Sequence, residues 1–168
     1  MLALLIRHPA VLVPPGTCYG RLDVDLHPDA AADAARLAAL AAGFAGRVWT
    51  SPARRCRRIA GAAAIADARL CELDFGAWEG LAWDAVPRAA LDHWAAAPHD
   101  IAPPGGERGA ALLARVAAFH ADIRAAGADC VVVSHGGPLK LLAALLHGTA
   151  PDLLAPAPTL GSVSRIAC

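Results

Sequence analysis

The sequence has no excess charge of either sign. Lys+Arg and Asp+Glu are each 15 in 168 residues, for a formal net charge of zero, so the basic surplus of a nucleic-acid-binding surface is missing. Lysine is nearly absent: Lys140 is the only one, and the cations are otherwise arginine, whose planar fork suits phosphate and carboxylate. No apolar run is long enough to span a membrane, the first being cut by Arg7 and then by Pro14-Pro15. Met1–Ile6 is also short for a secretory leader, and no basic residue precedes it. The five cysteines (Cys18, Cys56, Cys71, Cys130, Cys168) are odd in number and show no CxxC spacing. That argues against a disulfide framework and a zinc site, and for a reducing cytoplasm.

Apolar residues are plentiful, at 57% against 18% charged, enough to build a core in a chain the length of one α/β domain. There is no internal repeat, linker or long charge run, so residues 1–168 read as a single domain. Leu2–Ile6 reads as a buried strand ending at Arg7-His8-Pro9. Pro28-Asp29 starts an alanine- and leucine-rich helix that stops at Gly43. Arg47–Thr50 is a short strand, after which Ser51 as N-cap and Pro52 at the first position open a helix. Arg69–Leu73 is a short strand or an extended segment before the glycine-punctuated loop Asp74–Gly80. A helix covers Trp83–Trp94, interrupted near Pro87, and another runs from about Glu107 to Ala126. Cys130–Ser134 is the strongest strand, followed by His135-Gly136-Gly137-Pro138 and a helix to about His147; Ser162–Ala167 supplies a last strand. This alternation implies a mostly parallel sheet with helices on both faces.

Three polar clusters follow strands: Arg7-His8, Ser51–Arg55 and Ser134-His135. Groups leaving the carboxyl ends of parallel strands meet along one sheet edge, where ligands bind. Two imidazoles and at least two guanidinium groups in one crevice call for an anion, and a phosphoryl group fits because arginine binds its oxygens in pairs. Arg54 and Arg55 fall in the first turn of a helix, against its dipole, whereas His135-Gly136-Gly137 precedes a helix whose free amides favour an anion. Against this, a single histidine after a strand is usually structural, and Arg54, Arg55, Arg57 and Arg58 read mostly as a solvated helix face, since at helical spacing they cannot all point one way. Glu79 reads as a surface loop residue. His27, His93, His99, His120 and His147 have no converging partner.

In these blocks the chain resembles the histidine phosphatase superfamily, the phosphoglycerate-mutase-like group. Leu4-Leu5-Ile6-Arg7-His8 looks like its nucleophile motif, and Ser51-Pro52-Ala53-Arg54-Arg55-Cys56 like its second arginine motif. Leu70-Cys71-Glu72 through Gly80 is similar to its acid-bearing loop, and Val133-Ser134-His135-Gly136-Gly137 to its closing histidine. The blocks stand in family order across residues 2–137. Cys18–Val24, with Tyr19, Gly20 and Arg21, looks most like the alpha-ribazole-5'-phosphate phosphatase branch of cobalamin synthesis. The chain departs from the family at Pro9 and Ile59, where glycine and threonine are usual, and at Arg108, where serine closes Gly-Gly-Glu-Ser.

The resemblance implies a three-layer α/β/α fold with a mostly parallel central sheet, and a phosphomonoester hydrolase that needs neither metal nor cofactor. His8 would be the nucleophile, kept neutral by repulsion from Arg7. Arg7, Arg55 and His135 would bind the equatorial oxygens. Glu72 would be general acid and then base, with Asp74 and Glu79 off the family position. Tyr19, Gly20, Arg21 and Gly136 are the expected substrate contacts. The expected partner is a small phosphomonoester, with no nucleic acid and no membrane, and the chain is read as a monomer or homodimer. The rival readings are a phosphoglycerate-type mutase, a protein phosphohistidine phosphatase and an inactive anion-binding module.

Overall fold

The computed structural model describes residues 1–168. Five strands form one sheet: β1 (Leu2–Arg7), β2 (Arg47–Thr50), β3 (Ile65–Ala66), β4 (Cys130–Ser134) and β5 (Val163–Ala167), in the order β3-β2-β4-β1-β5. The β1–β4, β2–β4 and β2–β3 pairs are parallel, and only β5 runs antiparallel, on the outer side of β1. The helices are α1 (Ala31–Ala42), α2 (Arg54–Ala60), α3 (Arg88–Ala96), α4 (Gly109–Ala126) and α5 (Gly136–His147). None is long and apolar enough to cross a membrane.

The near-continuous apolar runs of β1 and β4 mark strands covered on both faces. Their alternation divides the core in two. Ala3, Leu5, Cys130 and Val132 point to one side, where Leu112, Val116 and Phe119 of α4 and Leu139 and Leu142 of α5 meet them. Leu4, Ile6, Val131 and Val133 point to the other, against Leu37 and Ala41 of α1 and Cys56 and Ile59 of α2. The result is a three-layer α/β/α sandwich. Ile59 is fully buried in the second of these cores, so at this departure from the family pattern the side chain serves packing.

Three expectations for local structure need correction. Ser51 does not cap α2: the helix begins at Arg54 after Ala53, with no side-chain cap, and Pro52 lies in the bend before it. Of the two readings of Arg69–Leu73 the strand is wrong and the extended segment holds only past Leu70: Ala68–Leu70 is a 3-10 turn running into extended chain, and the edge strand is Ile65–Ala66. The stretch from Trp83 is interrupted at Pro87 as expected, with a 3-10 turn (Trp83–Ala85) before it and α3 after it. α4 begins at Gly109 rather than Glu107, with Arg108 at the N-cap position making no side-chain cap. The carbonyls of Pro98 and His99 accept the Gly109 and Ala110 amides in its place.

Candidate active site

Strand register builds the site. β1 and β4 align Arg7 with Ser134, so the next residues, His8 and His135, leave the sheet side by side. β2 and β4 align Thr50 with Val133, which brings Ser51 beside Ser134. The rings of His8 and His135 meet edge to face, with centroids 5.2 Å apart, and both are almost fully buried.

Each ring is held by specific hydrogen bonds. Nδ1–H of His8 donates to the Pro9 carbonyl at 2.8 Å, which fixes the tautomer and leaves the Nε2 lone pair unprotonated. Burial is the main reason that the His8 pKa falls to about 3, with Arg55 and then Arg7 adding repulsion. The expected dominance of Arg7 is therefore wrong: desolvation leads, and the more buried Arg55 outweighs the sequence neighbour. For His135, Nδ1 accepts from Arg55 Nε at 3.3 Å and Nε2–H donates to Ser51 Oγ at 2.8 Å. Burial, reinforced by Arg55, holds its pKa well below the usual histidine value too. Both imidazoles are neutral at physiological pH.

Arg55 is fully buried at the second position of α2. Besides His135, it donates to the carbonyls of Leu22 and Gly20, each at 2.8 Å, and stacks over the Tyr19 ring at 5.4 Å. Tyr19 also meets His8 edge to face, at 6.3 Å. Arg7 Nη1 donates to the Pro158 carbonyl, while its Nε is buried without a partner. A Cβ on Gly136 would lie 3.1 Å from the Arg7 guanidinium carbon, so this glycine lets the cation approach the N-terminus of α5. Glu72 lines both the cavity that holds Arg55, Ser51 and His135 and the adjoining one that holds Arg7, His8 and Tyr19. Its Oε1 accepts the Leu73 amide at 2.9 Å and its Oε2 the Gly137 amide at 3.1 Å. No group of three or more histidine, cysteine or acidic side chains is arranged to hold a metal ion.

The model for the histidine phosphatase superfamily (branch 1) matches residues 3–168. The chain belongs to this superfamily. A search of the curated proteins gives no match. Among solved structures, the alpha-ribazole phosphatase from Shigella flexneri is similar at 24% identity, TM-score 0.83, covering 99% of this chain and 90% of that one. A mycobacterial glucosyl-3-phosphoglycerate phosphatase is similar at 23% identity, TM-score 0.81, covering 98% and 88%. YhfR of Bacillus stearothermophilus is similar at 29% identity, TM-score 0.80, covering 99% and 90%. The chain is thus an enzyme of the histidine phosphatase type.

Around the core of this histidine phosphatase, the second group of candidates divides. Tyr19 touches the cradle directly. Gly20 is buried, and a Cβ there would fall on the Leu73 carbonyl, so its place is one of close packing. Arg21 is exposed at the rim, 3.4 Å from Glu107 and 3.9 Å from Asp74. Glu79 is half-buried and anchored: its carboxylate accepts the amides of Arg21, Leu22 and Phe75, stapling the Tyr19–Leu22 loop to the Glu72 loop. Ser51, read from sequence as a helix cap, is a fully buried partner of His135. Gly137, second of the glycine pair after His135, also belongs to the site through its amide on Glu72. Arg54, Arg57 and Arg58 lie on the exposed face of α2, and Arg54 pairs with Asp23 and Asp25.

Proposed function

We propose that the protein hydrolyses a small phosphomonoester through a phosphohistidine at His8, with alpha-ribazole-5'-phosphate as the specific substrate candidate. The observation that carries this reading is the fixed His8 tautomer. A neutral imidazole with Nδ1–H bonded to a carbonyl and Nε2 free is a nucleophile needing no further deprotonation. In the first step Nε2 bonds to phosphorus as the bond to the leaving oxygen breaks, and Glu72 gives that oxygen its proton. In the second, water attacks phosphorus, the N–P bond breaks and Glu72 takes the proton back.

Charge on the equatorial oxygens is met by Arg7 and Arg55. Three of the five Arg55 hydrogens are bound to Gly20, Leu22 and His135, so one remains on each terminal nitrogen. Ser51 accepts from His135, which leaves its own hydroxyl proton for a phosphoryl oxygen. Free thiols throughout, three of them buried, fit a reducing compartment such as the cytoplasm.

The substrate candidate is supported by the Cys18–Val24 block, whose Gly20 and Leu22 carbonyls hold Arg55, and by the likeness to the Shigella protein. The test is phosphate release from alpha-ribazole-5'-phosphate beside glucosyl-3-phosphoglycerate, sugar phosphates and phosphohistidine peptides. The reading expects the highest kcat/KM on alpha-ribazole-5'-phosphate. Preference for another ester would overturn the substrate. Formation of 2-phosphoglycerate from 3-phosphoglycerate in a coupled assay would mark a mutase, and no release from any of them would mark an anion-binding module.

A further inference from the structure

Residues 68–72 leave the sheet edge as a 3-10 turn and extended chain with no strand beside them, so their carbonyls need other donors. The Cys71 amide serves Ala68 and Ser134 Oγ serves Leu70, and one side chain provides for the other three. Arg115, on α4, donates through Nη1 to the carbonyls of Arg69 (2.7 Å) and Cys71 (2.6 Å) and through Nη2 to that of Glu72 (3.0 Å). Its other two hydrogens go to Glu107, from Nε at 2.8 Å and Nη2 at 2.9 Å. All five guanidinium hydrogens are therefore used on the segment ending in Glu72 and on one carboxylate. Glu107 in turn donates its amide to the Asp74 carbonyl, just past Glu72.

The Arg115 and Glu107 side chains are 14% and 13% exposed. A pair so far out of water gives back much of its attraction as desolvation and is a poor device for stability alone. Its geometry is a good device for placement. Two backbone grips before Glu72, one on Glu72 and one after it hold the backbone from which the carboxylate reaches the Leu73 and Gly137 amides.

We propose that Arg115 is the positioning residue for Glu72, with Glu107 fixing the plane of its guanidinium. The inference rests on the reading of Glu72 as general acid. Arg115 lines neither of the two cavities around the imidazoles, so it acts through the backbone that carries Glu72. Lysine cannot replace it, since a point charge with three donors cannot span three carbonyls and a carboxylate.

The experiment compares kcat/KM for two esters: p-nitrophenyl phosphate, whose phenolate leaves without a proton, and a primary alkyl phosphate, whose alkoxide needs one. The enzymes are wild type, Arg115→Lys, Glu107→Gln and Glu72→Gln, with circular dichroism to verify folding. Loss of a general acid costs about 10²–10⁴-fold and falls on the alkyl ester. Arg115→Lys is expected to lower kcat/KM for the alkyl ester at least about 10-fold more than for the nitrophenyl ester, as Glu72→Gln does. Should Arg115→Lys not fold, Glu107→Gln, which keeps a hydrogen-bond acceptor for Arg115, carries the same expectation. Equal losses on both esters in the Arg115 and Glu107 variants, with discrimination kept in Glu72→Gln, overturn the inference. Equal losses in Glu72→Gln itself overturn the acid role of Glu72, and the inference with it.

Discussion

The carboxylate of Glu72 rests on the backbone amide of Gly137 at 3.1 Å, and no side chain fits between them, because a Cβ on residue 137 would land on Oε1. Gly137→Ala must therefore push Glu72 away from the leaving oxygen. A displacement of about 1 Å at such a group costs on the order of 10²-fold. Steady-state kinetics on an alkyl phosphate are expected to show kcat down by about that factor with KM little changed. Wild-type turnover in Gly137→Ala would mean that the carboxylate position does not matter.

Ser51 and His135 form the second test. Ser51→Ala removes the oxygen acceptor of the buried His135 Nε2–H and leaves that donor only the weak acceptor Cys56 Sγ, 3.7 Å away. The expected stability loss is about 1–3 kcal/mol, read from the urea midpoint. Turnover is expected to fall at the same time, since His135 loses its fixed orientation and the phosphoryl group a hydroxyl donor. A variant as stable and as active as wild type would remove Ser51 from the site.

Glu79 should matter for ligand affinity more than for chemistry. It joins the loop bearing Tyr19 and Arg21 to the loop bearing Glu72 through three backbone amides. Glu79→Ala leaves these donors to water and releases the Gly20 and Leu22 carbonyls that hold Arg55. We expect KM, or the Ki of inorganic phosphate, to rise by about 10-fold, equivalent to roughly 1.4 kcal/mol. If only thermal stability changes, Glu79 is a loop staple without influence on the cradle.

The buried histidines set a pH dependence of stability. In the folded protein His8 has a pKa of about 3, below the ordinary value of 6.5, and His135 is also lowered. The unfolded chain therefore binds more protons below about pH 6.5, so stability is full above that pH and lost as pH falls towards 3. Each histidine steepens the loss by up to about 1.4 kcal/mol per pH unit. Urea unfolding between pH 7 and pH 4 is expected to show a shallower slope for His8→Asn than for wild type. Parallel slopes would mean that His8 is not held neutral by burial.

Much of the architecture is legible in the sequence because it depends on short-range pattern. The apolar runs of Leu2–Ile6 and Cys130–Ser134 and the alternation with alanine-rich helices are enough to infer a parallel-rich α/β sandwich. The convergence of Arg7, His8, Arg55 and His135 is also legible, since parallel strands release their next residues on one edge. What escapes is set by partners distant in sequence. Ser51-Pro52 has the local form of a helix start, yet the partner of Ser51 is 84 residues away. Glu79 and Arg115 bond mainly to backbone atoms of loops, and such atoms leave no side-chain signature. The ranking of effects on the His8 pKa escaped for a related reason: Arg7 is adjacent in sequence, but burial, which leads, emerges only from the complete fold.

The central claim is that His8 carries the phosphoryl group in turnover. The most direct measurement is acid-sparing quench of the enzyme during hydrolysis of a labelled phosphomonoester, followed by peptide mapping. The account predicts an acid-labile, alkali-stable phosphoryl group on the peptide containing His8, absent from His8→Ala together with turnover. Label on another residue, or normal turnover by His8→Ala, would contradict it.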